Sequence, residues 1–287
     1  MNKSKNEDYV FKLTEFNVYN NKEDCESDEE GIKTDKTKFG IQMFGLNTKG
    51  ECASIFVENY KPFFYVKVGD SWGQTRRQAL HDHLKSKIGA YYANSIVSSK
   101  LVERKKLYGF DNGKKHRFIQ FIFENTIVFN KVKNLWYDDS TNDDGENERK
   151  LKKNGYPFVY QGKTINLELY EAQIPPLLRL FHITEISPSG WIKLPYKSTT
   201  VISEGAKTTW CDYELVIDYK DIISLADVDD IVPYKKMSFD IEASSSHGDF
   251  PVPVKSYKKL ATNIVDYFSK FDKIERAFCV DSLKEIL

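Results

Sequence analysis

The chain has 287 residues, long enough for one large domain or two ordinary ones. Its composition, 40% hydrophobic and 29% charged, excludes a disordered polymer. With 42 basic and 42 acidic side chains it is formally neutral, so any surface that attracts phosphates must be a local patch offset by acidic segments elsewhere.

In chain order, residues 8–19 (DYVFKLTEFNVY) alternate as a strand does, and 20–38 read as a solvated polar loop. IQMFGLN (41–47), the turn Thr48-Lys49-Gly50 and CASIFVE (52–58) predict a hairpin. Pro62 interrupts the chain before the strand FFYVKV (63–68). From Thr75 to Ile88 the apolar positions move to helical spacing, and Gly89 is placed to end that helix. The segment 91–107 carries the cluster Glu103-Arg104-Lys105-Lys106; RFIQFIFEN (117–125) predicts a strand, and 128–137 suits either strand or helix. Residues 138–155 read as a second polar loop, an insertion within one domain because strand-like aromatic segments flank it.

The second half reads as β again. NLELYEAQI (166–174) is followed by Pro175-Pro176, LLRLFHITEI (177–186), a Ser-Pro-Ser-Gly turn and WIKL (191–194). WCDYELVIDY (210–219) and KMSFDIEAS (236–244) predict further strands, and 256–271 predicts an amphipathic helix with Leu260, Ile264, Tyr267, Phe268 and Phe271 on one face. CVDSLKEIL (279–287) starts another helical pattern. The aromatic content of 14% favours a β-rich fold. Cys25, Cys52, Cys211 and Cys279 form no CxxC pair, which argues against a zinc ribbon and fits a reducing compartment. The first residues lack the apolar core of a signal peptide, and no window approaches the roughly 18 apolar residues of a membrane span. The expectation is a soluble, intracellular protein without a membrane partner.

Asp240-Ile241-Glu242 is the main chemical signal. Residues i and i+2 of a strand share a face, so the two carboxylates stand about 7 Å apart on one side. Oxygen ligands so placed suit hard cations such as Mg²⁺ or Mn²⁺, and a metal pair about 3.5–4 Å apart activates water and steadies a leaving oxygen in phosphodiester hydrolysis. A DxE on a strand is by itself an ordinary solvent-facing edge; the surrounding string singles this one out. Arg104, Lys105, Lys106, Lys114 and Lys115, interleaved with Tyr108 and Phe110, could contact single-stranded template through phosphate pairing and stacking, or form a solvated basic face. Gly162-Lys163-Thr164 is not a phosphate loop, because position 157 is Pro where that loop needs Gly. His81 and His83 fall on different faces of the predicted helix and suit packing better than a shared metal; His247 reads as a loop-structuring residue.

FDIEA (239–243), within MSFDIEASSSHGDFP, resembles the first exonuclease motif of B-family DNA polymerases, and the longer string resembles the delta-like enzymes of large double-stranded DNA viruses. YEAQIPPLLRLFHITEISPSGWIKLP (170–195), YKPFFYVKV (60–68) and KLVERKKLYGFDNGKKHRFIQFIF (100–123) are similar to segments of that family in the same order, so the likeness covers most of 39–271. It implies an α+β chain: a β-rich mixed amino-terminal domain over 1–233, then the first strand and a helix of an RNase H-like 3′–5′ exonuclease domain over 234–287. It implies that Asp240 and Glu242 bind two catalytic metals, and that DNA, the rest of the polymerase chain and a sliding clamp are the partners. The later Tyr-x-x-x-Asp exonuclease motif and the Tyr-Gly-Asp-Thr-Asp polymerase motif do not occur, so the expectation is an amino-terminal piece that is inactive alone. Two rivals stand beside it: a self-standing RNase H-like nuclease drawing on Asp249 or Asp266, and a non-catalytic single-stranded DNA-binding or interaction module.

Overall fold

The computed structural model describes residues 7–22, 34–106, 112–141, 147–240 and 258–269. The chain divides into two compact units, Met1–Tyr234 and Lys235–Leu287. In chain order the elements are β1 (Tyr9–Lys22), β2 (Thr37–Leu46), β3 (Cys52–Glu58), β4 (Phe63–Lys67), α1 (Gln74–Ile88), α2 (Ala90–Ala93), β5 (Ile96–Lys105), β6 (Lys115–Phe123), α3 (Thr126–Lys133), β7 (Tyr137–Thr141), β8 (Asn147–Leu151), β9 (Tyr156–Tyr160), β10 (Lys163–Tyr170), α4 (Pro176–Thr184), β11 (Trp191–Leu194), β12 (Thr199–Val201), β13 (Tyr213–Asp218), β14 (Ile223–Leu225) and α5 (Lys258–Phe268). The result is the expected strand-rich α+β architecture.

Two large sheets make the first unit. One has seven strands in the order β12-β13-β3-β2-β1-β11-β14, the other five in the order β5-β6-β4-β10-β9. All pairs are antiparallel except β13 against β3, whose chain connection runs through the second sheet. Strand alternation sorts the side chains. Phe64 and Val66 of β4 and Ile119, Phe121 and Phe123 of β6 turn to one face, where α1 and α3 bury them with Leu80, Leu84, Val128 and Trp136. Phe11, Leu13, Ile41, Met43, Ile55, Leu215 and Ile217 fill the core of the larger sheet, closed by Leu180 of α4. Each such side chain, nearly or wholly excluded from water, contributes about 1.5–3 kcal/mol by burial.

The helix at 74–88 and the hairpin at 41–58 form where alternation and period place them. Elsewhere the structure corrects the reading. Residues 177–186 are not strand: Pro176 opens α4, where its missing N–H costs nothing, and Leu177, Leu180 and Phe181 fall on one helical stripe against the larger sheet. The segment 138–155 is not simply a loop, because β7 and β8 pair with Asp138 opposite Lys150 and Asp139 opposite Arg149. Opposite charges across a strand pair let so polar a segment form a ladder, and the Arg149–Asp139 ion pair measures 3.1 Å. The first polar loop is shorter than 20–38, since β1 continues to Lys22 and β2 begins at Thr37. Residues 128–137 resolve mostly as helix, with Asn125 accepting the Val128 N–H as its cap. Residues 210–212 stay outside β13, and Trp210 is 86% exposed.

In the second unit, residues 236–240 form no strand. They run irregularly, with Met237 84% and Phe239 77% exposed, because no neighbouring strand among the described residues offers them a ladder. The rest of the expected strand (241–244) and the pattern at 279–287 lie outside the described residues. The helix expected at 256–271 is present as α5.

Candidate functional site

Asp240 stands exposed at the end of the irregular segment that leaves the first unit. Glu242, the second acid of the DxE string, together with His247 and Asp249, lies outside the described residues. Among the described residues no group of three or more His, Cys, Asp or Glu side chains comes together as a metal cage. The donor chemistry of Asp240 and Glu242 suits a hard divalent cation, but the described residues do not supply a complete coordination shell.

The two basic runs do come together. Antiparallel pairing sets Arg104 opposite His116 and Lys105 opposite Lys115, so Lys106 and Lys114 follow at the tip of the β5–β6 hairpin. Arg104, Lys105, Lys114 and Lys115 are exposed and Lys106 is half-buried; Tyr108 and Phe110 lie outside the described residues. The neighbouring charge is partly offset by Glu103, 3.5 Å from Arg117. Five cations at one hairpin end make a local positive patch on a neutral chain, the kind of feature a total charge of zero conceals.

The histidines are packing groups. His81 is buried on α1 with Nδ1 3.0 Å from the Ser99 hydroxyl, and His83 Nε2 lies 2.8 Å from the Tyr156 hydroxyl. Burial lowers both imidazole pKa values, helped by Lys85 and Arg77 at His81 and by Lys87 at His83. Gly162 and Lys163 belong to the turn and start of the β9–β10 hairpin, with Gln161 and Gly162 both at positive φ, so no phosphate loop exists there.

Two buried polar clusters escaped the sequence reading, since a lone Asp, Asn or Glu carries no spacing signal. The Asp35 carboxylate accepts from Asn125 Nδ2 (2.8 Å), the Ser95 hydroxyl (3.2 Å) and the Thr37 N–H (3.1 Å). Burial pushes its pKa up, but the hydrogen bonds outweigh that and hold it below the usual range. Glu214, fully buried on β13, accepts from the backbone and hydroxyl groups of Thr208 and Thr209 and so ties down the loop before that strand; burial again raises its pKa and those donors reverse the effect. Cys52 and Cys211, distant in sequence, meet where β3 and β13 begin, and the Cys52 N–H donates to Asp212 at 2.7 Å.

Residues 167–262 match the family model described as DNA polymerase family B, exonuclease domain. That match begins on β10 and takes in α4, β11 and β13, well upstream of the DxE string. The chain is similar in sequence to part of several DNA polymerases. It is 50% identical over 265 residues to a DNA polymerase of Phaeocystis pouchetii virus, covering 91% of this chain and 25% of that protein. It is 30% identical over 240 residues to a DNA polymerase of Pyramimonas orientalis virus, covering 83% and 18%. It is 25% identical over 253 residues to the DNA polymerase delta catalytic subunit of Schizosaccharomyces pombe, covering 86% and 22%. The chain thus spans a quarter or less of the length of these relatives.

Proposed function

We propose that this chain is the amino-terminal part of a virus-encoded DNA-directed DNA polymerase with 3′–5′ proofreading, acting in viral DNA replication. The 50% identity over 91% of the chain to a viral DNA polymerase carries this reading. In it, residues 1–233 form an amino-terminal scaffold and 234–287 begin the exonuclease domain. Asp240 and Glu242 would hold two divalent cations, Mg²⁺ or Mn²⁺. When bound, such ions activate water and stabilise the departing 3′ oxygen. The side chains themselves supply oxygen ligands and fix where the 3′ end is cut. Arg104, Lys105, Lys106, Lys114 and Lys115, with Tyr108, would contact the single-stranded template. Primer-template DNA, the remainder of the polymerase and a sliding clamp are the partners in this reading.

Among the described residues no helix is long and apolar enough to cross a membrane. The test compares two preparations. The isolated chain should neither extend a primer nor excise a 3′ end appreciably. The polymerase carrying this sequence should do both, and Asp240→Ala or Glu242→Ala should abolish excision while sparing synthesis. Robust Mg²⁺-dependent excision by the isolated chain, lost in Asp240→Ala, would overturn this reading in favour of a self-standing nuclease.

A further inference from the structure

Cys52 and Cys211 are far apart in sequence, and the larger sheet brings them together. β13 runs parallel to β3, from Tyr213 opposite Ala53 to Asp218 opposite Glu58. One step before that ladder, Asp212 stands beside Cys52 and accepts from it twice, from the N–H at 2.7 Å and from the thiol at 3.3 Å. Cys211 is the next residue back, and its sulfur lies against that of Cys52, within hydrogen-bonding reach. Ideal neighbouring strands are about 4.8 Å apart and rise about 3.3 Å per residue, so a pair one step off register is about 6 Å apart between Cα atoms. A disulfide spans roughly 4.4–6.8 Å between the same atoms.

The loop that carries Cys211 is anchored on both sides of it. Buried Glu214 accepts from Thr208 and Thr209, and Lys207 Nζ donates to the Cys211 and Asp212 carbonyls at 3.3 and 3.0 Å. Those bonds fix where the Cys211 sulfur sits relative to β3. Both cysteines are free thiols and half-exposed, and the adjacent Trp210 is largely in solvent, so a small solute reaches the pair from water. Two thiols beside a carboxylate invite a soft-metal reading, but among the described residues no group of three or more His, Cys, Asp or Glu side chains comes together as a metal cage. A packing role suits a fully buried cysteine better than two half-exposed ones in contact.

We infer that Cys52 and Cys211 are a site of reversible oxidation, a thiol pair that a hydroperoxide closes into a disulfide between β3 and the loop leading into β13. Burial, with the Asp212 acceptor and the second sulfur adding to it, pushes the Cys52 thiol up, so Cys52 holds its proton and Cys211 reacts first. The Cys211 sulfur attacks one peroxide oxygen, the O–O bond breaks, water leaves and a sulfenic acid remains. The Cys52 sulfur then attacks the Cys211 sulfur and displaces hydroxide. The Cys52 proton passes by way of Asp212 to that hydroxide, which leaves as a second water. The two thiols give up two electrons and the peroxide accepts them. In a reducing compartment the pair rests as thiols, and thiol reductants reopen the disulfide. The inference is independent of the polymerase reading, since it uses neither the DxE string nor the basic hairpin.

The test treats the full chain with hydrogen peroxide, blocks the remaining thiols with iodoacetamide and maps the unreduced tryptic peptides by mass spectrometry. The expected result is joint loss of the Cys52 and Cys211 thiols into one linked peptide pair, before any sulfinic acid appears and reversed by dithiothreitol. Cys52→Ser should leave Cys211 as a sulfenic acid that dimedone traps, and Cys211→Ser should leave Cys52 unoxidised at the same dose. Asp212→Asn removes the proton acceptor, so it should slow the second step and raise the dimedone-trapped fraction of Cys211. Circular dichroism checks that each variant is folded. In denaturing urea the link should lose its selectivity over Cys25 and Cys279. The assignment is overturned by a folded wild-type chain in which Cys211 passes to sulfinic acid while Cys52 stays reduced. Pairing of either residue with Cys25 or Cys279 instead, or both thiols outlasting those two cysteines, would overturn it equally.

Discussion

Replacing Asn125 by alanine removes three hydrogen bonds at a fully buried point between β2 and α3. Asn125 Oδ1 accepts the Val128 N–H at 2.9 Å, capping the helix, while Nδ2 donates to Asp35 at 2.8 Å and to the Thr37 carbonyl at 2.7 Å. Loss of the cap costs about 1 kcal/mol. Leaving a buried carboxylate and a carbonyl each short of a donor adds about 1–3 kcal/mol. The expected destabilisation is about 2–4 kcal/mol, read as a shift of the urea midpoint at unchanged slope with Trp136 fluorescence as the probe. Asn125→Asp makes a sharper comparison. It keeps the cap acceptor but sets a second carboxylate against Asp35, so at pH 7 it should be at least as damaging as alanine. Because protonation restores a donor, it should recover part of its loss near pH 5 while Asn125→Ala does not. A cost below about 1 kcal/mol for Asn125→Ala, or an Asn125→Asp variant insensitive to pH, would refute the role given to this cluster.

Glu214→Gln weakens the four-donor anchor of the loop at 208–209 and should lower stability by about 1–3 kcal/mol, with a change in Trp210 emission as that loop loosens. His81 and His83 have lowered pKa values in the folded chain, so the unfolded state binds more protons; stability should be full above about pH 6.5 and fall as pH drops toward the folded values. Asp35 and Glu214, also lowered, lose their contribution as pH falls further through the carboxylate range, and urea midpoints from pH 7.5 to 4 should decline throughout. Trp136→Phe keeps most of the buried ring but strands the Leu167 carbonyl, which the indole N–H meets at 2.8 Å, and should cost about 1–3 kcal/mol by the same assay.

Much of the first unit was legible because its strands alternate against one buried face. β1 through β4 carry a period of two, α1 is marked by Leu80 and Leu84 one turn apart, and the turns at Gly50 and Gly89 mark their ends. α4 was not, because it is short and its apolar residues follow two prolines in a stretch rich in strand signals. β7 and β8 were hidden because their pairing rests on Asp138, Asp139, Arg149 and Lys150, which look like loop residues until they face each other. The basic patch was half legible: both runs were visible, but only the register of β5 on β6 joins them. Asp240 was legible as a motif alone; the exposed, irregular backbone at 236–240 adds no packing that would single it out.

The most direct test of the polymerase reading is to read the coding sequence past Leu287. The account predicts that the frame continues into a Tyr-x-x-x-Asp exonuclease motif and a Tyr-Gly-Asp-Thr-Asp palm motif. A stop codon immediately after Leu287, with no second gene supplying those motifs, would contradict it and favour a non-catalytic DNA-binding module.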